Sequence, residues 1–224
     1  MSAPPLDPSS GPAVVPDVPV AARPRGRPRK TADERDEGNR RQLIIDGAAR
    51  LFRVQGFAAA STRDIAAAAG MRSGSPFYHF ESKTALLYAV MEEGMQRAVR
   101  SQAQTLAGLG EVPPRKRLAA LVRQHCEILL GPEGDFVPVM LYEWRSLTPV
   151  QREAIAQIKA VYEAPWMPVL QTLYDAGALR TEPGLARLFI FGALNWAVQW
   201  YRPEGRLSLD ALAAHALQMF LAPE

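Results

Sequence analysis

Ser61-Thr-Arg-Asp-Ile-Ala-Ala-Ala-Ala-Gly-Met-Arg-Ser-Gly-Ser-Pro-Phe-Tyr-His-Phe-Glu-Ser-Lys83 is the stretch that decides how this chain folds. It spells two short helices joined by a tight turn. Ser61 or Thr62 can cap the first helix, with Asp64 where a capping box needs its acid. Gly70 ends that helix and Ser73 caps the second. Pro76 falls in the second helix's first turn, where a missing N–H breaks no internal bond. Ser82 caps the helix that follows. Small and polar residues gather at the start of the second helix, the end that a helix-turn-helix puts into a major groove.

Upstream, Leu43, Gly47, Leu51 and Val54, flanked by Ile44, Ala48 and Phe52, form an apolar stripe at helical spacing over about residues 40–55. Gly56 suits the residue just past that helix, and Phe57 can fold back onto its last turn. Downstream, Leu86, Leu87, Val90 and Met91 open a long helix reaching about Leu106, closed by Gly108 and Gly110. Further helices are expected at roughly 114–130, 135–147, 150–176, 182–201 and 208–221, punctuated by Gly131-Pro132, Thr148-Pro149, Gly177, Pro203 and Gly205. Pro165 and Pro168 should kink or break the 150–176 helix. No strand alternation and no repeat is visible. The expected fold is all-α, about nine helices in two parts. Residues 1–37 form a Pro-rich and then basic arm, expected to be disordered; 38–98 form a helix-turn-helix domain; 99–224 form a helical effector-binding and dimerisation domain.

Composition narrows the function. The 224 residues are 48% hydrophobic, enough for one or two real cores. No run of 18 apolar residues is present, so no membrane span is expected, and the N-terminus lacks the pattern of a secretory signal. Cys126 is the lone cysteine, which excludes an internal disulfide and fits a cytoplasmic protein. Net charge is +3, and the surplus is local: residues 23–83 carry 13 basic against 7 acidic side chains, whereas 113–224 carry 11 of each. A basic surface confined to one half suits a polyanion partner for that half. There is no Gly-x-Ser-x-Gly elbow, phosphate-binding loop, dinucleotide fingerprint or Cys/His metal spacing, and His79, His125 and His215 are scattered. Neither an enzyme nor a bound cofactor or metal is expected.

Double-stranded DNA is the partner this pattern fits. Arg72 can reach guanine, Ser73 and Ser75 can reach bases or phosphates, and the Pro76 ring can meet a thymine methyl. Tyr78 and His79 can bond phosphates; Thr62, Arg63 and Lys83 are placed for backbone contacts. Phe77 and Phe80 belong to the core. The helix outline alone also occurs in bundles that bind no DNA. In the arm, Arg25-Gly-Arg27-Pro28 resembles an AT-hook core, with Arg25 and Arg27 set for a narrow A·T minor groove. A solvated basic tail acting by counterion release is the other reading.

Ala48-Ala-Arg-Leu-Phe52, Gly56-Phe57, Thr62-Arg-Asp-Ile-Ala66, Ala69-Gly70, Phe77-Tyr-His-Phe80 and Ser82-Lys83 followed by Leu86-Leu87 resemble the N-terminal domain of TetR-type transcriptional regulators over about residues 40–98. The resemblance implies a cytoplasmic bacterial homodimer whose N-terminal domains bind adjacent major grooves, with an inducer pocket in a helical C-terminal domain. Pro76 departs from it, standing where the family often has Thr or another small polar residue.

The C-terminal half should supply interface and pocket. Leu209, Leu212, Ala213, Ala216, Leu217 and Phe220 stripe the last helix, and Leu188–Val198 is apolar almost all round. Such a helix must be covered on every side, by its own domain and by a partner subunit, or by one large monomeric core. All four tryptophans lie here. Trp144, Arg145, Asn195, Trp196, Gln199, Trp200 and Arg202 are the candidate effector contacts, and core packing is the competing role for each aromatic. The segments Leu141–Thr148 and Gly192–Leu207 resemble a subgroup of the family that answers to acyl-coenzyme A thioesters in fatty-acid, aromatic-acid and sterol breakdown. That resemblance implies an acyl-CoA effector, with Arg145, Arg202 and Arg206 as phosphate partners. A regulator sensing a hydrophobic drug, or an architectural DNA binder acting through its arm, are the alternatives.

Overall fold

The computed structural model describes residues 32–71, 76–131 and 134–223, and among them it is all-helical. Helix α1 (Ala32–Ala59) carries a kink at Gly56, whose φ of 82° turns the chain as the sequence expects. It begins earlier than expected: residues 32–37, assigned above to the arm, are helical. That extension is polar all round, so hydrophobic periodicity gives no sign of it. The buried face of α1 is also turned by about one residue. Ile44, Ile45, Ala48, Ala49 and Phe52 are in the core, whereas Leu43 and Val54 are 48% and 83% exposed. The reason lies in α2 (Thr62–Ala68), which crosses α1 at Gly47. A Cβ on Gly47 would stand 2.8 Å from the Ala68 carbonyl, so only glycine admits this approach.

Ser61 caps α2. Its Oγ accepts from the Asp64 N–H at 3.2 Å and its own N–H donates to the Asp64 carboxylate at 3.1 Å. Those bonds hold the Asp64 carboxyl below the usual range. Where a third α-helix was expected from Ser73, residues Pro76–Tyr78 form a single 3₁₀ turn, closed by the His79 N–H on the Pro76 carbonyl at 3.0 Å. Helix α3 (Lys83–Leu109) starts on Ser82 as expected and ends at Gly110, φ 62°. It packs on α1 in the head and on three helices of the C-terminal half, so the boundary expected near residue 98 falls inside a shared helix.

Helices α4 (Pro114–Leu130) and α5 (Phe136–Glu143) follow, then a 3₁₀ turn at Trp144–Ser146. The expected 150–176 helix is two, α6 (Pro149–Glu163) and α7 (Trp166–Asp175). Pro165 makes the break; Pro168 sits in the first turn of α7, where it costs no hydrogen bond. Helices α8 (Pro183–Trp200) and α9 (Leu209–Phe220) complete the bundle. Beyond α9, an isolated bridge pairs Leu179 with Leu221. Helix α5 lies close on α3, since a Cβ on Gly94 would fall within the Phe136 ring.

Candidate DNA interface and interior cavity

At the tip of the head, Thr62 and Arg63 are exposed in the first turn of α2, and Tyr78 is 93% exposed beyond the turn. His79 is half-buried. Pro76 is buried, which withdraws its ring from the base contact sketched above and leaves it to shape the turn. Lys83 is also engaged internally: its Nζ donates to the Ala58 carbonyl at 3.1 Å and lies 4.7 Å above the Phe57 ring. It therefore ties the start of α3 to the end of α1. Phe80 is buried with Arg41 over its face at 5.1 Å. Arg25, Arg27, Arg72, Ser73 and Ser75 lie outside the described residues.

Among the described residues, polar ties join the head to the C-terminal half through both ends of α5. Arg53 Nη1 meets Asp135 at 2.6 Å, and the Phe57 N–H donates to Glu143 at 3.0 Å. A further ion-pair cluster, Asp46–Arg97 at 2.9 Å and Arg97–Glu93 at 3.1 Å, joins α1 to α3.

Inside the C-terminal half, α3, α4, α5, α6 and α8 line a small, mostly apolar cavity of about 40 Å³. Met95, Leu129, Val137, Met140 and Phe191 give its apolar wall. A polar cluster sits among them. His125 Nδ1 is 2.8 Å from the Tyr162 hydroxyl, and its Nε2 is 3.3 Å from Asn195 Oδ1. Burial drives the imidazole pKa down to about 4, so the ring is neutral, and burial likewise pushes the Tyr162 phenol up. Lys159 and Glu163 also line the cavity, paired at 3.3 Å, and Glu163 bonds Arg187 as well.

Of the seven candidate effector residues, Asn195 alone lines this cavity. Trp144 is half-buried and packs on the core; Arg145 and Arg202 are exposed, Arg202 donating to the Tyr201 carbonyl. Trp196, Gln199 and Trp200 stand on the outer side of α8. That side is open: Leu188, Phe189, Trp196 and Trp200 are 59%, 56%, 64% and 48% exposed. The apolar helix is thus covered on one face only by its own chain. His125 and Tyr162 were missed by the sequence reading. They lie 37 residues apart, and Asn195 a further stretch along, so no local spacing could unite them. Among the described residues no group of His, Cys, Asp and Glu could hold a metal ion, and no helix is long and apolar enough to cross a membrane.

A helical head with an exposed tip, set on a helical domain around a cavity, defines a helix-turn-helix DNA-binding transcription regulator rather than an enzyme. Residues 44–90 match the bacterial regulatory proteins of the tetR family, and residues 111–223 match the tetracyclin repressor-like C-terminal domain; the chain belongs to the TetR family. The HTH-type transcriptional repressor KstR2 of Rhodococcus jostii (strain RHA1) is 29% identical over 194 residues, 84% of this chain and 93% of that one. Among solved structures, the superantigen PfiT is 37% identical with a TM-score of 0.68, over 83% of this chain and 97% of its own. AibR, solved with isovaleryl coenzyme A and operator DNA, is 26% identical with a TM-score of 0.73, over 83% of this chain and 100% of its own.

Proposed function

We propose that this chain is a repressor that binds a palindromic operator as a homodimer and is released by a small acyl-CoA in the interior cavity. The observation that carries the reading is the position of α5. It gives the cavity Phe136, Val137 and Met140, and its two ends hold α1 through Asp135 and Glu143. An effector that pushes on α5 therefore acts on a helix bonded to the head. Helix α3 packs on both α1 and α5 and shares the load. The exposed face of α8 supports two-fold pairing, which sets recognition elements roughly 34–36 Å apart. The complex of AibR with isovaleryl coenzyme A and operator DNA supports the effector class. The arm residues Arg25 and Arg27 add minor-groove contacts on A·T flanks.

The release cannot exceed the effector's preference for one dimer state over the other. Operator binding is to be followed by fluorescence anisotropy with acyl-CoAs, the free acids and cationic dyes added in turn. Release by an acyl-CoA alone supports the reading; release by the dyes alone makes the chain a drug sensor. Glu143→Leu removes one tie to the head, and should cut effector-induced release about threefold to tenfold, on the scale of ordinary coupling energies.

A further inference from the structure

The inner cavity, at about 40 Å³, has room for no more than a few water molecules, so a ligand must enter by joining it to neighbouring space. At the end of the bundle away from the head, α3, α4 and α7 border a groove of about 380 Å³. One layer of side chains separates the two spaces, and the helical repeat identifies it. On α3, Ala98 lines the cavity and Leu106 the groove; Gln102, one turn from each, lies between them and is buried. On α4, buried Leu121 stands likewise between Arg117 of the groove and His125 of the cavity. At the start of α7, buried Trp166 has its ring against His125 and Phe191 of the cavity wall. Pro165 beside it and Val169 one turn on line the groove.

Among the described residues, Gln102 Nε2 and Trp166 Nε1 are the buried side-chain polar atoms that lack a hydrogen-bond partner, and both belong to this layer. An unmet buried donor costs the fold its lost hydration. An occupant that parts the layer and brings an acceptor oxygen level with it gives both donors a bond; a bare hydrocarbon leaves both unmet. In the groove, Arg117 donates to the Gly110 carbonyl at 2.8 Å, and no carboxylate among the described residues pairs with it. Lys116 beside it is exposed. The outer space therefore suits a negatively charged group, while Met95, Leu129, Val137 and Met140 offer hydrocarbon surface beyond the layer.

We infer that the groove between α3, α4 and α7 is the entrance to the effector site and that Gln102 and Trp166 form the gate between groove and cavity. The ligand class that fits is an apolar chain that passes the gate, with an acceptor oxygen level with the two donors and a negatively charged end left in the groove beside Arg117. This rests on the cavity being the effector site. Groove and cavity are then two parts of one elongated site, closed at its middle in the structure described here.

The test uses the full-length protein and isothermal titration calorimetry with octanoyl-CoA and with octanoate. Thr172 is exposed in the groove, so Thr172→Cys can be labelled there with fluorescein-5-maleimide, and Cys126 is buried from the reagent. Labelling this variant should abolish its binding of octanoyl-CoA. An affinity unchanged by the label puts the entrance elsewhere and overturns the inference, with the effector reading intact. Gln102→Leu and Trp166→Phe each remove one N–H and keep most of the bulk. Each should weaken octanoyl-CoA about tenfold, the scale of one buried hydrogen bond. The melting temperature of the free protein should hold or rise, because an unmet donor is gone. A wall residue without a donor role would instead lower the melting temperature and leave affinity unaltered, and that result in both variants overturns the gate. Arg117→Gln should weaken octanoyl-CoA about threefold and flatten its salt dependence; no change in either removes the charged end from the ligand class. If octanoate binds, is blocked by the label, and octanoyl-CoA does not bind, the entrance and gate stand and the acyl-CoA reading fails. If neither binds, both fail.

Discussion

In the head, small residues let the helices beneath the exposed tip approach closely around Ile44, Ile45, Phe52 and Ile65. Ala48, Ala49, Ala60 and Ala69 are buried there, and Gly47 lets two backbones touch. In the C-terminal half an aromatic cluster takes polar atoms inside with it: His125, Tyr162 and Trp166 meet Phe191, and all but Trp166 line one cavity. On the function proposed above, the head recognises with its outside and needs only a rigid interior, whereas the C-terminal half recognises with its inside, so its interior must combine packing with chemistry. Rigidity is obtained from close backbone approach in the first region, and some of it is given up for a cavity in the second.

Four experiments press on that contrast, beginning with the largest effect. Phe189→Glu with Trp196→Glu charges the open face of α8. Sedimentation should then show a monomer, and operator affinity should fall on the order of 100-fold through loss of two-site binding. A charged face that still dimerises and binds tightly would mean that pairing lies elsewhere. Gly47→Ala attacks the backbone contact of the head. The new methyl meets the Ala68 carbonyl, the helices must part, and the head should lose about 2 kcal/mol in denaturant unfolding.

The third addresses the buried imidazole. The unfolded chain takes up a proton at about pH 6.5, whereas folded His125 stays neutral down to about 4. A depressed histidine of this kind contributes fully above the unfolded value and loses its contribution as pH falls towards 4. Unfolding free energy should therefore drop by roughly 2 kcal/mol between pH 7 and pH 5, and His125→Gln should flatten that slope. An unchanged slope in the variant would remove the imidazole as its source. The smallest effect belongs to the cap: Ser61→Ala should cost about 1 kcal/mol, seen as a modest fall in melting temperature.

The same contrast explains what the sequence discloses. Caps and turns are local, so Ser61 with Asp64, Gly56, Gly70 and Ser82 could be placed from neighbouring residues alone, and the structure finds each in its expected role. Facing is set by what a helix packs against. That is why the stripe of α1 was off by a residue, since α2 approaches at Gly47, and why the Leu188–Val198 stretch of α8 looked buried all round when, within it, Ile190, Leu194 and Ala197 alone are sealed. The cavity was the least legible part. Its tryptophans drew attention by size, but the residues that meet inside it come from five helices, and a lone histidine in mid-helix gives no signal until Tyr162 and Asn195 are folded against it.

Three of the four tryptophans stand in two opposed environments, with Trp144 half-buried between these extremes, and that division makes the chain its own optical instrument. Trp166 is fully buried, its ring 4.8 Å from Phe191 and 6.0 Å from His125. Trp196 and Trp200 face solvent from α8. Iodide will quench the outer pair and spare Trp166, so the pairing of subunits proposed for α8 would be recorded as protection of the outer emission. Trp166 packs behind His125 and Phe191 of the cavity wall, so occupancy of the cavity would reach its blue emission through those two rings. Assembly and signal, which binding assays report as one number, separate by colour in an unlabelled protein.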